Sequence, residues 1–368
     1  MSKKNILCIC NTPLQLLNMI NVISNYYEND SRDLIITDEI KNCDVLLENI
    51  KTTYFFDQVN LINEDYKQTV FLAKGIKKIY EFKKYKTRIK TQYNSTKKYD
   101  RIFFWGGGWL NSIVAKQTHK NKNCEFIWID EGTASYSTHG LYWKKTLLQK
   151  IIYHIKPSQI IKKIMGINYL FNNTKIQYLY RPEIADYAVP FKRISIPFLR
   201  QNRNDLIKQI FGYDENIAIK EKFIYFDGAG NEDSLYGNDK ELLEMVAKIV
   251  GKENLLVKVH PRSSSEWYIQ NGYSINANTS IPWEVYCFDE KNLRNKVLIS
   301  IFSTALLSPY LYFNYENKVI SLLHLFNKSA YNNYYKYLLD YIEKQIFFSR
   351  KDIFLLPNSI EELNSYLI

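Results

Sequence analysis

The sequence contains no Asp-x-Asp, and so lacks the usual cue for a metal ion bridging a sugar diphosphate. Two glycine fingerprints are missing as well. Gly106, Gly107 and Gly108 in RIFFWGGGW, and the glycines of GAGNED, do not complete G-x-G-x-x-G, and no G-x-x-x-x-G-K-[ST] occurs. A nicotinamide or flavin dinucleotide site and a P-loop nucleotidase are therefore disfavoured. Cysteine is sparse: Cys8, Cys10, Cys43, Cys124 and Cys287 are odd in number and scattered through apolar surroundings. They make neither a close-paired zinc site nor a disulfide framework and read as reduced, packed thiols. No metal and no cofactor are expected.

Long apolar runs are lacking too. The uncharged stretch Val297 to Phe313 holds three serines, a threonine and a proline, and it falls short of the roughly 20 apolar residues a membrane span needs. MSKKNILCICNTPLQ has two lysines but only a short apolar run before Asn11 and Pro13, so it is expected to form a first strand rather than a signal peptide. The expected location is the cytoplasm, with room for a peripheral position at the inner face of the cell membrane. Acidic residues are outnumbered, 38 against 49 Lys and Arg, and the net charge of +11 favours an anionic partner.

What is present is an alternation of short β-rich runs and helical patterns over 368 residues, 46% of them apolar, enough for two domains. NILCIC precedes PLQLLNMINVISNYY, where Leu14, Leu17, Ile20, Val22 and Ile23 approximate a helical stripe. DLIIT, a helix over Asn42 to Ile50, DQVNLI, a long helical stretch through the seventies to nineties, DRIFFWGGG and CEFIWIDEG follow. A second series runs through KFIYFDGAG, a helix from about Lys240 to Val250, NLLVKVHP, a short strand near Tyr273 to Ile275, KVLISIFSTALLSPYLY and KVISLLH. The proline-bearing passage YRPEIADYAVPFKRISIPFLRQNRNDL separates them. This order predicts two doubly wound domains with parallel sheets facing a cleft, and ligands beyond the carboxyl ends of the strands.

Polar clusters stand at those ends. His260, Pro261 and Arg262 follow the apolar run NLLVKV; Asp130, Glu131 and Gly132 follow FIWI; Asp227, Glu232 and Asp233 lie on the loop after FIYF. Ser300, Ser303 and Thr304 sit where a strand hands over to an apolar helix, a place where hydroxyls and free N–H groups favour an anion. Glu284, two residues after Pro282, is placed to accept hydrogen bonds from two hydroxyls, as a carboxylate holding a ribose does. Each cluster also has an ordinary structural reading as a turn, a helix cap or a solvated loop.

Taken in order, CNTPLQLL, DEG, KVHPR, SIPWEV and IFSTAL resemble the bacterial sialyltransferases, most closely the lipooligosaccharide-type group classed as glycosyltransferase family 52, from Cys10 to about Pro309. The resemblance implies an α/β fold of GT-B type, two Rossmann-like doubly wound domains facing a central cleft, with residues 1–196 on the acceptor side and 197–368 on the donor side. It further implies CMP-sialic acid as donor substrate and an inverting, metal-independent transfer to a terminal sugar, often galactose, of a lipooligosaccharide or capsule glycan. By the same resemblance His260 contacts the CMP phosphate and serves as general acid, Ser303 and Thr304 hold the phosphate, and Glu284 the ribose. Pro261, Arg262, Pro282, Glu131 and Gly132 complete the expected substrate contacts, and the general base is Asp130 or Asp233.

From Lys74 to Arg101 there are 11 Lys and Arg against two acids, with Tyr80, Phe82, Tyr85 and Tyr93 interleaved. The stretch is either a solvated helical face or an attachment to an anionic membrane surface where a lipid-linked acceptor would be found. Nucleic-acid binding fits the charge but lacks a recognisable module, so no nucleic-acid partner is expected. A transferase using another nucleotide sugar stays open, as does a homodimer.

Overall fold

The computed structural model describes residues 3–368 apart from 107, 119–122, 138–158, 161–162, 164, 166–168, 186–188, 200–203, 217, 229–237, 261–262, 277, 279, 302, 327–339 and 348. The first sheet comprises β1 (Asn5–Cys10), β2 (Ser31–Thr37), β3 (Gln58–Ile62), β4 (Arg101–Phe104), β5 (Glu125–Ile129), β6 (Thr174–Leu179) and β7 (Lys192–Ser195). Its spatial order is β3-β2-β1-β4-β5-β6-β7. The second comprises β8 (Phe223–Phe226), β9 (Leu255–Lys258), β10 (Ser274–Ile275), β11 (Val297–Ser300), β12 (Lys318–Ser321) and β13 (Phe354–Leu355), in the order β10-β9-β8-β11-β12-β13. Every pairing is parallel. Both sheets therefore share the doubly wound order in which the first strand is central and the chain reverses direction beside it.

The strands read as short apolar runs because both faces are covered. Along β1, Ile6, Cys8 and Cys10 enter one core while Leu7 and Ile9 enter another, the alternation that a pleated strand imposes. The second sheet repeats this: Phe223 and Tyr225 face an outer core, Ile224 and Phe226 an inner one. The inner core is common to both sheets and packs Leu16 and Ile20 from the helix Pro13–Tyr26 together with Trp283, Leu306 and Tyr312 from the second half. A single apolar layer thus joins the two domains and fixes how their strand ends confront each other.

The passage Tyr180 to Leu206, expected to be irregular, carries β7 on the edge of the first sheet. The lysine-rich segment forms the helix Gly75–Gln92. Phe82 and Tyr85 are buried on its inner face and Tyr93 just beyond its end, so of the interleaved aromatics only Tyr80 meets solvent.

Candidate active site

The loop after β1 is built by its own sequence. Thr12 caps the helix Pro13–Tyr26: its Oγ1 accepts from Gln15 N at 3.3 Å, Pro13 occupies the first turn, and Gln15 Oε1 accepts from Asn11 N at 2.7 Å. The same Thr12 hydroxyl donates to Glu131 Oε1 at 2.8 Å, tying the end of β1 to the end of β5. Glu131 Oε2 is buried and makes no hydrogen bond of standard geometry among the described residues. Burial pushes the Glu131 carboxyl up to about 7, against the Thr12 hydrogen bond and the nearby Gln15 side chain and with help from the Asp130 charge.

Asp130, one residue earlier, sits in a different environment. It is fully buried; Oδ1 accepts from Gly132 N at 2.8 Å, and Oδ2 accepts from the Tyr136 hydroxyl and from Tyr180 N at 3.3 Å. Its carbonyl accepts from Asn18 Nδ2 at 2.8 Å, while the Tyr180 hydroxyl donates to Asn18 Oδ1 at 2.9 Å. Burial raises this carboxyl too, to about 7, despite its donors. Both carboxylate oxygens are engaged in holding the ends of β5 and β6 together, and the backbone carbonyl ties in the helix Pro13–Tyr26.

Gly132 is one of the points where the two domains touch. Its φ is +84°, and a Cβ there would lie 2.4 Å from Thr304 Cγ2 and 2.8 Å from Thr304 Oγ1. Thr133 Oγ1 and Thr304 Oγ1 are 3.1 Å apart in the same contact. Gly132→Ala should therefore combine about 1–2 kcal/mol of left-handed backbone strain with a clash across the domain interface. The expected result is a lowered unfolding midpoint and reduced turnover. Thr304→Ser, which removes the nearest methyl, should restore part of the midpoint in the double variant; no restoration would show that the interface is not the cause.

From the second domain, Ser303 caps the short helix Thr304–Ser308, its Oγ accepting from Ala305 N at 3.3 Å. Asp227, at the end of β8, accepts from His260 N at 3.2 Å, and the His260 carbonyl accepts from Ser263 N at 2.9 Å. The imidazole is thus carried on a turn pinned at both sides. Pro282 precedes the helical turn Trp283–Tyr286, where Glu284 is buried and accepts from Ser308 Oγ. Burial raises the Glu284 carboxyl, with Ser308 and Lys258 opposing.

Lys258 is a residue that sequence reasoning passed over, although a lysine inside NLLVKV is itself a signal. It ends β9 with only 7% of its surface exposed, and no carboxylate among the described residues lies within 4 Å of its ammonium. Burial lowers it to about 8, opposed by the Glu284 charge and reinforced by Lys41 of the first domain. Thr12, the partner of Glu131, lies in the CNTPLQLL motif but was given no role of its own. Asp233, Pro261 and Arg262 lie outside the described residues. Gly132 and Thr133 of the first domain thus meet Thr304 of the second, Glu284 is bonded to Ser308 of the helix that Thr304 opens and lies in the field of Lys258, and His260 follows the carboxyl end of β9.

A family model for alpha-2,8-polysialyltransferases matches residues 6–323. Among solved structures the chain is similar to the alpha/beta-galactoside alpha-2,3-sialyltransferase of the luminous marine bacterium Photobacterium phosphoreum. The TM-score is 0.54 and the identity 13%, over 98% of this chain and 100% of that one. It is similar also to TcCGT1 in complex with UDP, with TM-score 0.53 and 9% identity over 100% of this chain and 90% of that one. Glycosyltransferase VinC in complex with dTDP gives a TM-score of 0.50 and 10% identity over 99% and 91%. No curated protein matches. Identities this low carry the fold alone, and that fold, two Rossmann-like domains with parallel sheets, is that of a GT-B glycosyltransferase. The family match covers most of the sequence: the chain belongs to the alpha-2,8-polysialyltransferase family and is a sialyltransferase. The narrower likeness to family 52 and the lipooligosaccharide type rests on the motifs only.

Proposed function

We propose that the enzyme moves sialic acid from CMP-sialic acid to a terminal sugar hydroxyl of a bacterial surface glycan, lipooligosaccharide or capsule, by a single inverting displacement without a metal. The observation that carries this reading is the Gly132–Thr304 contact. It sets Glu131, with its unpartnered oxygen, beside the Ser303–Thr304 turn on the facing domain. A base on one side and an anion site on the other is what displacement of a nucleoside monophosphate requires.

In this reading the acceptor hydroxyl loses its proton to Glu131 as its oxygen bonds to the anomeric carbon. The bond from that carbon to the phosphate oxygen breaks, and CMP leaves with the electron pair. Ser303, Thr304 and His260 bear on the departing phosphate, with Arg262 and Pro261 assigned to the same turn by resemblance. Glu284 holds the ribose, and Lys258 beside it offers a cation to the nucleotide. Asp130 fixes the loop on which Glu131 and Gly132 stand, and Asp233 is the second candidate for the base.

Two acceptors are in view. Galactose follows from the sequence resemblance. The family's description points to the 8-hydroxyl of a terminal sialic acid, and the net charge of +11 favours such an acidic glycan. The deciding experiment offers CMP-sialic acid, UDP-sugars and dTDP-sugars with galactose-terminated and sialic-acid-terminated acceptors, in EDTA. Transfer from CMP-sialic acid alone, undiminished by chelation, is expected. Activity confined to a diphosphate donor would sink the reading, and rescue of a chelated enzyme by magnesium would sink its metal-free mechanism. Glu284→Gln should raise the donor KM by about tenfold, the loss of one charged hydrogen bond, and leave the acceptor KM unchanged.

A further inference from the structure

The short helix Lys67–Leu72 after β3 and the start of the helix Gly75–Gln92 expose an apolar patch. Phe71 is 66% exposed, Leu72 68%, Ile76 86% and Tyr80 57%. Side chains this large and this exposed, side by side, mark an interaction surface rather than ordinary solvent-facing scatter. Ile76, Tyr80, Lys83 and Lys84 follow one another at helical spacing on a single face, while Phe82, Tyr85 and Ile89 fill the opposite, buried face.

Charge defines the partner. Lys74, Lys77, Lys83 and Lys84 are exposed around the patch. Lys78 Nζ lies 5.6 Å from the centre of the Phe71 ring, and Lys84 Nζ 4.4 Å from that of Tyr80. The one acid of this helix, Glu81, is buried, accepts from the Tyr66 hydroxyl and pairs with Lys84 Nζ at 3.5 Å, which leaves Lys74, Lys77 and Lys83 as the patch's exposed ammonium groups with no ion pair shown among the described residues. Apolar side chains ringed by ammonium groups match the acyl and headgroup layers of an anionic bilayer.

The patch is also tied to the active site. The helix connects parallel strands β3 and β4, so its first turns stand at the carboxyl ends of the strands, the same end as the site. Glu64, just after β3, accepts from the Tyr85 hydroxyl of this helix and from Asn11 Nδ2 at 3.0 Å. Asn11 adjoins Thr12, which holds Glu131.

We propose that Phe71, Leu72, Ile76 and Tyr80, with the lysines around them, seat the acceptor-side domain on an anionic membrane, with the cleft at the lipid surface. This gives a location to the lipid-linked acceptor of the proposed reaction and rests on that reading for its purpose, although lipid binding itself needs no turnover.

The test is sedimentation of the full chain with vesicles of phosphatidylglycerol and phosphatidylcholine, against phosphatidylcholine alone. Two variants are compared, Phe71→Ser/Ile76→Ser and Lys74→Gln/Lys77→Gln. Partition should favour the anionic vesicles, weaken as salt is raised, and fall at least tenfold in each variant. Hydrolysis of CMP-sialic acid, which needs no membrane, should stay within about twofold, reporting that both variants are folded and that the site is intact. Equal binding to neutral vesicles, no binding, or unchanged binding by the variants would overturn the proposal. So would a dimer of the unmodified chain that Phe71→Ser/Ile76→Ser converts to monomer, because the patch would then be an interface between copies. Failure to sediment with donor hydrolysis intact removes the membrane surface and leaves the transfer reading; sedimentation without hydrolysis does the reverse.

Discussion

His260→Ala should lower kcat by roughly 10²–10⁴, the range for a positioned acid or charge-stabilising donor, with a smaller change in acceptor KM. The backbone of the turn is fixed without the imidazole, by Asp227 accepting from His260 N and by Ser263 N donating to the His260 carbonyl. Removing the ring therefore leaves its carrier in place, and the unfolding midpoint should barely move. His260→Asn separates two roles. An amide can donate a hydrogen bond to the departing phosphate but cannot hand over a proton at neutral pH. Substantial recovery in the Asn variant assigns the effect to hydrogen bonding, and a loss equal to that of Ala assigns it to proton transfer. Near-normal turnover in the Ala variant removes His260 from the chemistry.

The order of strands was readable because parallel strands buried on both faces are written as short apolar runs, and each run here ended in a polar cluster. Edge strands were not. β7, KRIS, has Ile194 as its one apolar residue and is only partly buried, and β13 has two residues, so neither interrupts a loop-like sequence. The basic stretch illustrates a related limit. Its aromatic residues are spaced for a helix, but only packing decides that Phe82 and Tyr85 face the core while Ile76 and Tyr80 face out.

At the site, the sequence placed Asp130, Glu131, Gly132, His260, Glu284, Ser303 and Thr304 at strand ends or helix starts, where they stand. The resemblance set Asp130 ahead of Glu131 as the candidate base, with Glu131 a substrate contact. The difference between these neighbours is made by Tyr136 and by the backbone of Tyr180, 50 residues further along, which together occupy one oxygen of Asp130. Glu131 instead meets Thr12, from more than a hundred residues upstream, and keeps one oxygen unpartnered. Lys258 went unremarked because a buried cation is expected to have a counter-ion, and the nearest carboxylate in its field, Glu284, is bonded to Ser308.

Glu131→Gln should cost roughly 10²–10⁴ in kcat while leaving CMP affinity unchanged, if its free oxygen takes the acceptor proton. The pH profile carries an independent signature. Because burial raises the carboxyl to about 7, Glu131 is protonated and inactive as a base below that pH. Turnover should then fall about tenfold per unit on the acid side of 7 and level off above it. Asp130 titrates in the same region and its charge raises Glu131, so the limb belongs to the pair. Asp130→Asn removes that charge: the acid limb should move to lower pH with kcat on the plateau retained. Stability responds differently. A buried acid whose folded pKa exceeds its ordinary value loses stability as pH rises between the two, here from 3.8 to about 7. The Asn variant should lose the Asp130 share of that decline and keep the share that Glu131 contributes between 4.5 and about 7, although its mispaired amide lowers the unfolding midpoint overall. An acid limb in the ordinary carboxylate range would refute Glu131 as base. Normal turnover in both variants would direct the search to Asp233, the other candidate that the resemblance names.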